Sequence, residues 1–433
     1  MFAPTSGTSM DIPVNGLGTP FQSGTDSSVT PEQKPKPATE NEGFSIPGGF
    51  GLAPVDFTPG RGKFDRKPLS FSTTLQQAYD DNTNSTSGSS LQPPIKGSML
   101  THLSQGVDVL ISQSRLGLSL DANAGGQYYW TKTNTGDQLT PNAGLDLLFA
   151  YKLTPQAQFS ATVNSSYSTQ PSLSVINGLT QSSNKGYFLT NSKLDLLYRW
   201  TPRFATDTTY TVNSDYNQDS AARSNNYLNQ TVGESLRYTF SRLMTGVLEG
   251  RASENAFNSS TYNSNTYFAL VGADFTLTRR LLGMFRAGET TQSYQTAAVN
   301  TSSLPYFETS LNYNLTKMST LSLNGRYGFD STNSNGETTK SLRTGLSFTQ
   351  VLSSKLSATA SVTYSHSDYS QADLLGGSTP ANDEAISGSV GLQYILSQHM
   401  SLFSNISRLT STPADRTLKY TKDTYYFGLT YQY

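Results

Sequence analysis

Thr424-Tyr-Tyr-Phe-Gly-Leu-Thr-Tyr-Gln-Tyr433 decides the fold class. Tyr425, Phe427, Leu429, Tyr431 and Tyr433 share one side of an extended chain, while Thr424, Gly428, Thr430 and Gln432 share the other. Period two means a strand with one dry face. The pattern first appears at Leu69, Phe71, Thr73, Leu75 and Tyr79, with Ser70, Ser72, Thr74 and Gln76 between them. A final strand that ends on an aromatic residue predicts a transmembrane antiparallel β-barrel of the Gram-negative outer-membrane type.

Between these two strands a short motif recurs: an aromatic or aliphatic residue, any residue, an apolar residue, then Ser or Thr. Its copies begin at Val109, Tyr151, Tyr198, Tyr238, Phe275, Tyr313, Gln350 and Tyr394. Measured at the third residue, the intervals are 42, 47, 40, 37, 38, 37 and 44, and Tyr433 lies 37 beyond Leu396. A period near forty fits hairpins of two spanning strands of about ten residues, one long outer loop and one tight periplasmic turn. The motif marks the turn side, as in Thr154-Pro155-Gln156 and Ser397-Gln398-His399. Loops are expected near 82–98, 131–141, 170–186, 214–227, 253–265, 292–305, 331–340, 366–384 and 411–422. Nine outer loops and eight inner turns join eighteen strands. The prolines after Pro68 are expected in loops, turns or strand beginnings, since proline cannot donate to a ladder.

Composition narrows the alternatives. Of 433 residues, 35% are hydrophobic and 14% charged, with 25 Tyr, 21 Phe and 35 Gly. Mean hydropathy is -0.43, and no run approaches the ~18 apolar residues of a membrane helix. Net charge is -1, which gives no argument for nucleic acid. With no cysteine there is no disulfide framework, zinc-thiolate site or cysteine nucleophile. The three histidines, His102, His366 and His399, fall on separate segments, so triad chemistry has no base beside a nucleophile. Neither Asp80-Asp81-Asn82 nor Asn382-Asp383-Glu384 has calcium-loop spacing. The expectation is a non-enzyme without metal or cofactor.

Two segments follow. Residues 1–66, rich in Pro, Gly, Ser and Thr, read as an irregular periplasmic arm. Residues 67–433 read as the barrel. Met1-Phe-Ala-Pro has no basic or apolar signal region, so a signal peptide is expected to have been removed.

Sorting each strand by its apolar face sends charge inward. Lys193, Asp195, Arg199, Arg237, Glu249, Arg251, Arg286, Glu308, Arg326, Asp330 and Arg343 are the expected lumen-lining residues, with Asp108, Asp121, Asp146, Asp207 and Asp274 on the same face. A charge facing lipid costs roughly 2 to 4 kcal/mol at mid-bilayer, which explains the sorting. Glu234 and Arg408 fall on the apolar face. The inward arginines either create a transverse field favouring anions or pair with Glu249, Glu308 and Asp330 across neighbouring strands. Tyr151, Tyr198, Trp200, Tyr238, Phe240, Phe275, Tyr313, Tyr394, Tyr431 and Tyr433 are the expected membrane-edge aromatics.

Leu69-Ser-Phe-Ser-Thr-Thr-Leu-Gln-Gln-Ala-Tyr-Asp-Asp-Asn82 resembles the first strand of the outer-membrane β-barrel porins of the second type, where an alternating strand ends in Tyr-Asp-Asp-Asn before a polar loop. Elsewhere in residues 69–433 the resemblance rests on hairpin spacing and the aromatic end. It implies an outer-membrane barrel, and some relatives look like exit ports for secreted polysaccharide. It supplies no catalytic residue.

An eighteen-stranded barrel leaves an aqueous channel unless something fills it. The expected function is passive or weakly selective passage of hydrophilic solutes, or a polysaccharide-export conduit. The alternative is a structural or docking component of an envelope assembly, with the arm plugging the lumen or binding a periplasmic or surface partner. Expected partners are outer-membrane lipid and, through the C-terminal strand, the barrel-assembly machinery.

Overall fold

The computed structural model describes residues 68–83, 97–131, 138–168, 174–176, 179–181, 186–217, 226–258, 263–278, 280–295, 301–316, 318–330, 338–370, 381–412 and 419–433. The expected arm at 1–66 lies outside the described residues.

The chain opens with β1 (Leu69–Asp80), β2 (Ser98–Ser112), β3 (Leu116–Tyr129), β4 (Leu139–Lys152) and β5 (Ala157–Ser168). A three-residue hairpin, β6 (Ser174–Ile176) and β7 (Leu179–Gln181), precedes β8 (Tyr187–Arg199), β9 (Phe204–Asn217), β10 (Tyr227–Ser241) and β11 (Met244–Phe257). Then come β12 (Ser264–Thr278), β13 (Leu281–Tyr294), β14 (Ser302–Thr316), β15 (Ser319–Asp330) and β16 (Thr338–Val351). The last four are β17 (Leu356–Ser370), β18 (Ala381–Ile395), β19 (Met400–Thr412) and β20 (Tyr420–Gln432).

Apart from β6 and β7, these strands form one 18-stranded antiparallel sheet in which each pairs with its chain neighbours. The sheet closes where β1 meets β20, from Ser72↔Gln432 to Asp80↔Thr424. At the turn side of that seam, Phe71 and Tyr433 exchange both backbone hydrogen bonds, at 3.1 and 2.9 Å, and their rings stack at 5.8 Å. At the loop side, Lys422 Nζ lies 2.7 Å from Asp80 Oδ2, and Asn82 Nδ2 donates to the Thr421 carbonyl at 3.1 Å. Asp81 accepts from the Asp423 N–H at 2.7 Å. The Tyr79-Asp-Asp-Asn82 motif is therefore the clasp between the first and last strands.

Repetition of Ser or Thr in the turn motif has a local cause. In seven turns its hydroxyl accepts the N–H two or three residues on, as where Thr201 accepts from Arg203 and Phe204 at 3.3 and 3.0 Å. This satisfies donors that the ladder leaves over. Those seven turns hold two residues between the Ser or Thr and the next strand; the turn after Ser112 holds three.

Three expectations need correction. The strands are 12 to 15 residues long rather than about ten, because an apolar band needs only ~9 to 11 and the rest projects past it. The 170–186 loop contains the β6–β7 hairpin. Pro141 and Pro305 lie inside strands, yet each is paired on one side only: β4–β5 pairing starts at Asn142 and β14–β15 pairing at Phe307. Their missing N–H groups thus fall where no ladder bond is lost.

Faces separate cleanly. On β1, Leu75 is 51% exposed outward, while Thr74 and Gln76 are 2% and 1% exposed inward. Burial lies along the inner wall, with a small apolar cluster of Ala78, Leu100 and Tyr129 backed by Tyr426.

Candidate functional site

Register fixes which inner side chains meet, because opposite residues on paired strands stand about 5 Å apart and face the same way. The inner face of β9 to β14 carries one continuous chain of ion pairs. Asp207 Oδ2 on β9 lies 3.8 Å from Arg237 Nη1 on β10, and Arg237 reaches over β11 to bind Asp274 on β12. Asp274 also holds Arg286 Nη2 of β13 at 2.8 Å, and Arg286 Nε lies 3.3 Å from Glu249 of β11. Glu249 holds Arg251 Nε at 2.6 Å, and Arg251 Nη2 reaches Glu308 of β14 at 3.2 Å. Sign alternates at every step. Each of these side chains is mostly buried, Asp274 completely.

Two residues make the crossings possible. Gly272 stands opposite Arg286. A Cβ there would sit 2.0 Å from the Phe285 carbonyl oxygen and 2.7 Å from Arg286 Cδ, so only glycine lets that guanidinium lie across β12. Tyr306, 1% exposed, donates its hydroxyl to Glu308 at 3.0 Å. Its ring packs against Phe268 at 5.2 Å, with the guanidinium groups of Arg251 and Arg326 6.0 and 5.7 Å from its centroid.

Other expected residues take their places around this chain. Lys193 Nζ is 2.7 Å from Asp195 Oδ1 on the same strand, β8. Arg199 ends β8 at the turn side. Arg326 donates to the Phe329 carbonyl at 3.1 Å. Arg343, 3% exposed, stands directly opposite Arg326. Asp330 ends β15, and its side chain lies outside the described residues. Of the two sequence-based readings of the arginines, pairing applies to Arg237, Arg251 and Arg286. Asp207 and Asp274 supply part of it, and Arg237 to Asp274 skips a strand, which alternation alone does not reveal. Tyr306 is the residue that sequence reasoning missed: an aromatic placed inward by its even distance from Thr316.

Following registers sideways exposes two opposed rows. On β13 to β17 the row reads Arg286, Glu308, Arg326, Arg343, Ser365. On β1 to β5 it reads Ser70, Asp108, Asp121, Asp146, Asn164. Strands β15 and β3 are eight apart the shorter way round the ring, close to diametrically opposite. One wall is net basic and the other net acidic. Between them, β17 and β18 carry hydroxyls, with Ser361 and Ser389 2.7 Å apart.

The expected edge aromatics face outward at the turn side. Tyr198 and Trp200 meet edge to face at 4.5 Å, Tyr238 and Phe240 at 5.0 Å, and Tyr431 stacks on Tyr433 at 5.9 Å. Tyr151, Tyr313 and Tyr394 are exposed on the same face, and Phe275 partly so. Glu234 and Arg408 also face outward: Thr208 donates to Glu234 at 2.5 Å, and Arg408 Nε lies 3.7 Å from Asp423. The histidines stand apart. His102 faces the Asn142 amide, His366 lies between Asp368 and Glu384 at the loop end, and His399 Nδ1 is 2.9 Å from the Gln432 carbonyl.

The model of the family described as "Putative beta-barrel porin 2" matches residues 187–282 and 258–433. Among solved structures, OccAB4 of Acinetobacter baumannii is 10% identical with a TM-score of 0.41, covering 85% of this chain and 99% of that one. The outer membrane protein opdK of Pseudomonas aeruginosa is 11% identical with a TM-score of 0.42, covering 84% and 98%. The siderophore receptor PirA of Acinetobacter baumannii is 9% identical with a TM-score of 0.41, covering 85% and 81%. No curated protein sequence matches the chain.

Proposed function

Because the chain belongs to the Putative beta-barrel porin 2 family, and so sits in outer-membrane lipid as a porin-like barrel, we propose that it is a channel for passive, weakly selective passage of hydrophilic solutes. The observation that carries this is the division of the wall: hydroxyl, amide and charged side chains dominate the inner face, with Val247, Leu270, Met284 and Leu304 buried among them, while large exposed apolar residues dominate the outer face. A closed wall of eighteen strands with that polarity encloses room for water. The ion-pair chain pairs off the charges of β9 to β14, and the net basic and net acidic rows stand on facing walls, so selectivity is weak rather than absolute.

The deciding experiment is conductance of the purified full chain in a planar bilayer. Stepwise, ohmic increments are expected. A barrel that shows heat-modifiable gel migration but no increments would refute the open channel. A polysaccharide conduit is the narrower form of the same reading, favoured by the hydroxyl-lined β17 and β18. It requires that neutral oligosaccharides block the current from one side. Recognition by the barrel-assembly machinery belongs with this reading too, through the outward Tyr425, Phe427, Leu429, Tyr431 and Tyr433.

A further inference from the structure

We infer that the periplasmic rim of the barrel is a basic collar that holds the phosphate groups of anionic phospholipids in the periplasmic leaflet of the membrane. Of the eight short turns, six carry Arg115, Arg203, Arg242, Arg280, Lys317 and Lys355, and a seventh carries His399. None of the eight contains Asp or Glu. The chain as a whole is balanced, with 30 basic and 31 acidic residues, so this sorting is a property of one edge. The described loop ends instead mix both signs, with Lys340 and Lys422 among Asp368, Glu384 and Asp423.

Arg115, Arg203, Arg242, Arg280 and Lys355 are exposed, and among the described residues none of them is joined to a carboxylate. Arg280 Nη1 donates to the Leu315 carbonyl at 3.2 Å, which leaves its charge uncompensated. Four of these cations follow within three residues an apolar side chain that faces lipid: Trp200 before Arg203, Phe240 before Arg242, Leu277 before Arg280 and Leu352 before Lys355. Leu243 and Met318 are exposed within the turns themselves. An apolar residue seated in hydrocarbon, with a long cationic side chain two or three residues on, holds that charge at headgroup depth. Basic residues there attract anionic lipid over about a Debye length, ~10 Å at 0.1 M salt. A solute at the channel mouth would meet the same ring, but the pairing of each cation with a lipid-facing side chain favours the lipid.

The chain's two tryptophans report on the two edges: Trp200 faces outward beside Arg203, and Trp130 faces outward at the loop end of β3. The test uses the full chain in vesicles of equal phosphatidylglycerol and phosphatidylcholine, with bromine in the acyl chains of one lipid or the other to quench tryptophan. In W130F, brominated phosphatidylglycerol is expected to quench Trp200 about twofold more than brominated phosphatidylcholine. In W200F the two lipids should quench Trp130 equally. Adding R203Q/R242Q/R280Q to W130F should bring the two lipids level at Trp200, while K340Q/K419Q on the loop side should not. If the triple variant does not fold, ~1 M salt on W130F alone should erase the difference, since the Debye length falls to about 3 Å. Equal quenching at Trp200, the same lipid preference at Trp130, or a preference that survives the triple variant or high salt would overturn the collar. So would a triple variant that shifts the reversal potential of the channel while Trp200 shows no lipid preference, which would assign the ring to solutes at the mouth. Because quenching needs no current, a barrel that gathers phosphatidylglycerol without conducting refutes the channel and leaves the collar standing.

Discussion

Glu249→Gln is the sharpest probe of the ion-pair chain. Glu249 is a node: its side chain is 7% exposed, Oε1 lies 2.6 Å from Arg251 Nε, and Oε2 lies 3.3 Å from Arg286 Nε. Breaking a buried pair typically costs about 3 to 5 kcal/mol because a charge is left without compensation. Here both arginines keep a second carboxylate, Glu308 at 3.2 Å and Asp274 at 2.8 Å. The loss should therefore be nearer the worth of one or two charge-assisted hydrogen bonds, about 2 kcal/mol. E249L, which removes the remaining amide acceptor, should cost roughly 4 kcal/mol. Equilibrium urea unfolding in micelles, followed by Trp130 and Trp200 fluorescence, measures both. A cycle with R286Q should be non-additive by ~1 kcal/mol or more, since the two residues touch. E249Q within about 0.5 kcal/mol of wild type, or strict additivity with R286Q, would refute the chain as a stabilising unit.

Three further outcomes follow from single contacts. Gly272→Ala should sharply reduce the heat-modifiable fraction, since its Cβ would lie 2.0 Å from the Phe285 carbonyl oxygen; normal folding yield would show that Arg286 need not cross β12. Lys422→Met should lower the unfolding midpoint by leaving Asp80, whose side chain is 4% exposed, without its cation, and D80N/K422M should recover part of the loss. Glu234→Leu should raise stability by roughly 1 to 2 kcal/mol, because a carboxylate in mid-strand faces lipid; the gain should grow in E234L/T208V, which also removes the hydroxyl that donates to it.

Much of the fold was legible because the turn motif keeps time for the strands. In every copy from Thr154 onward, residues at even distance from the motif's Ser or Thr face inward, and those at odd distance face outward. Arg237 and Asp274 each lie four before, Tyr238 and Phe275 three before. Glu234 lies seven before Ser241 and Arg408 eleven after Ser397, so their outward placement follows the same count. The Ser112 turn breaks the rule by its extra residue. What parity cannot give is reach. It says that Arg237 and Asp274 share a face, but which strand a guanidinium crosses depends on Gly272 and on register between strands far apart in sequence. Tyr306 escaped for a related reason, since an aromatic residue is normally assigned to the membrane edge and its inward role depends on Arg251 and Arg326 beside it.

The lipid face obeys the same cross-strand logic as the inner wall, and this explains its exceptions. A polar group facing hydrocarbon has no water to turn to, so it must find a partner on the sheet or cost several kcal/mol. On β1 and β2, Thr101 donates to Gln77 at 2.7 Å and Gln105 to Thr73 at 2.9 Å, all four facing outward. On β9 and β10, Tyr210 donates to Gln230 at 2.6 Å beside the Thr208 to Glu234 bond. Arg408 and Asp423 form the ion pair of β19 and β20. Each pair joins direct register partners or their immediate neighbours, so one substitution leaves its partner exposed to lipid while a paired substitution does not. These outward polar residues are therefore units of two, and an assignment of faces that tests them singly mistakes a satisfied pair for an error of register.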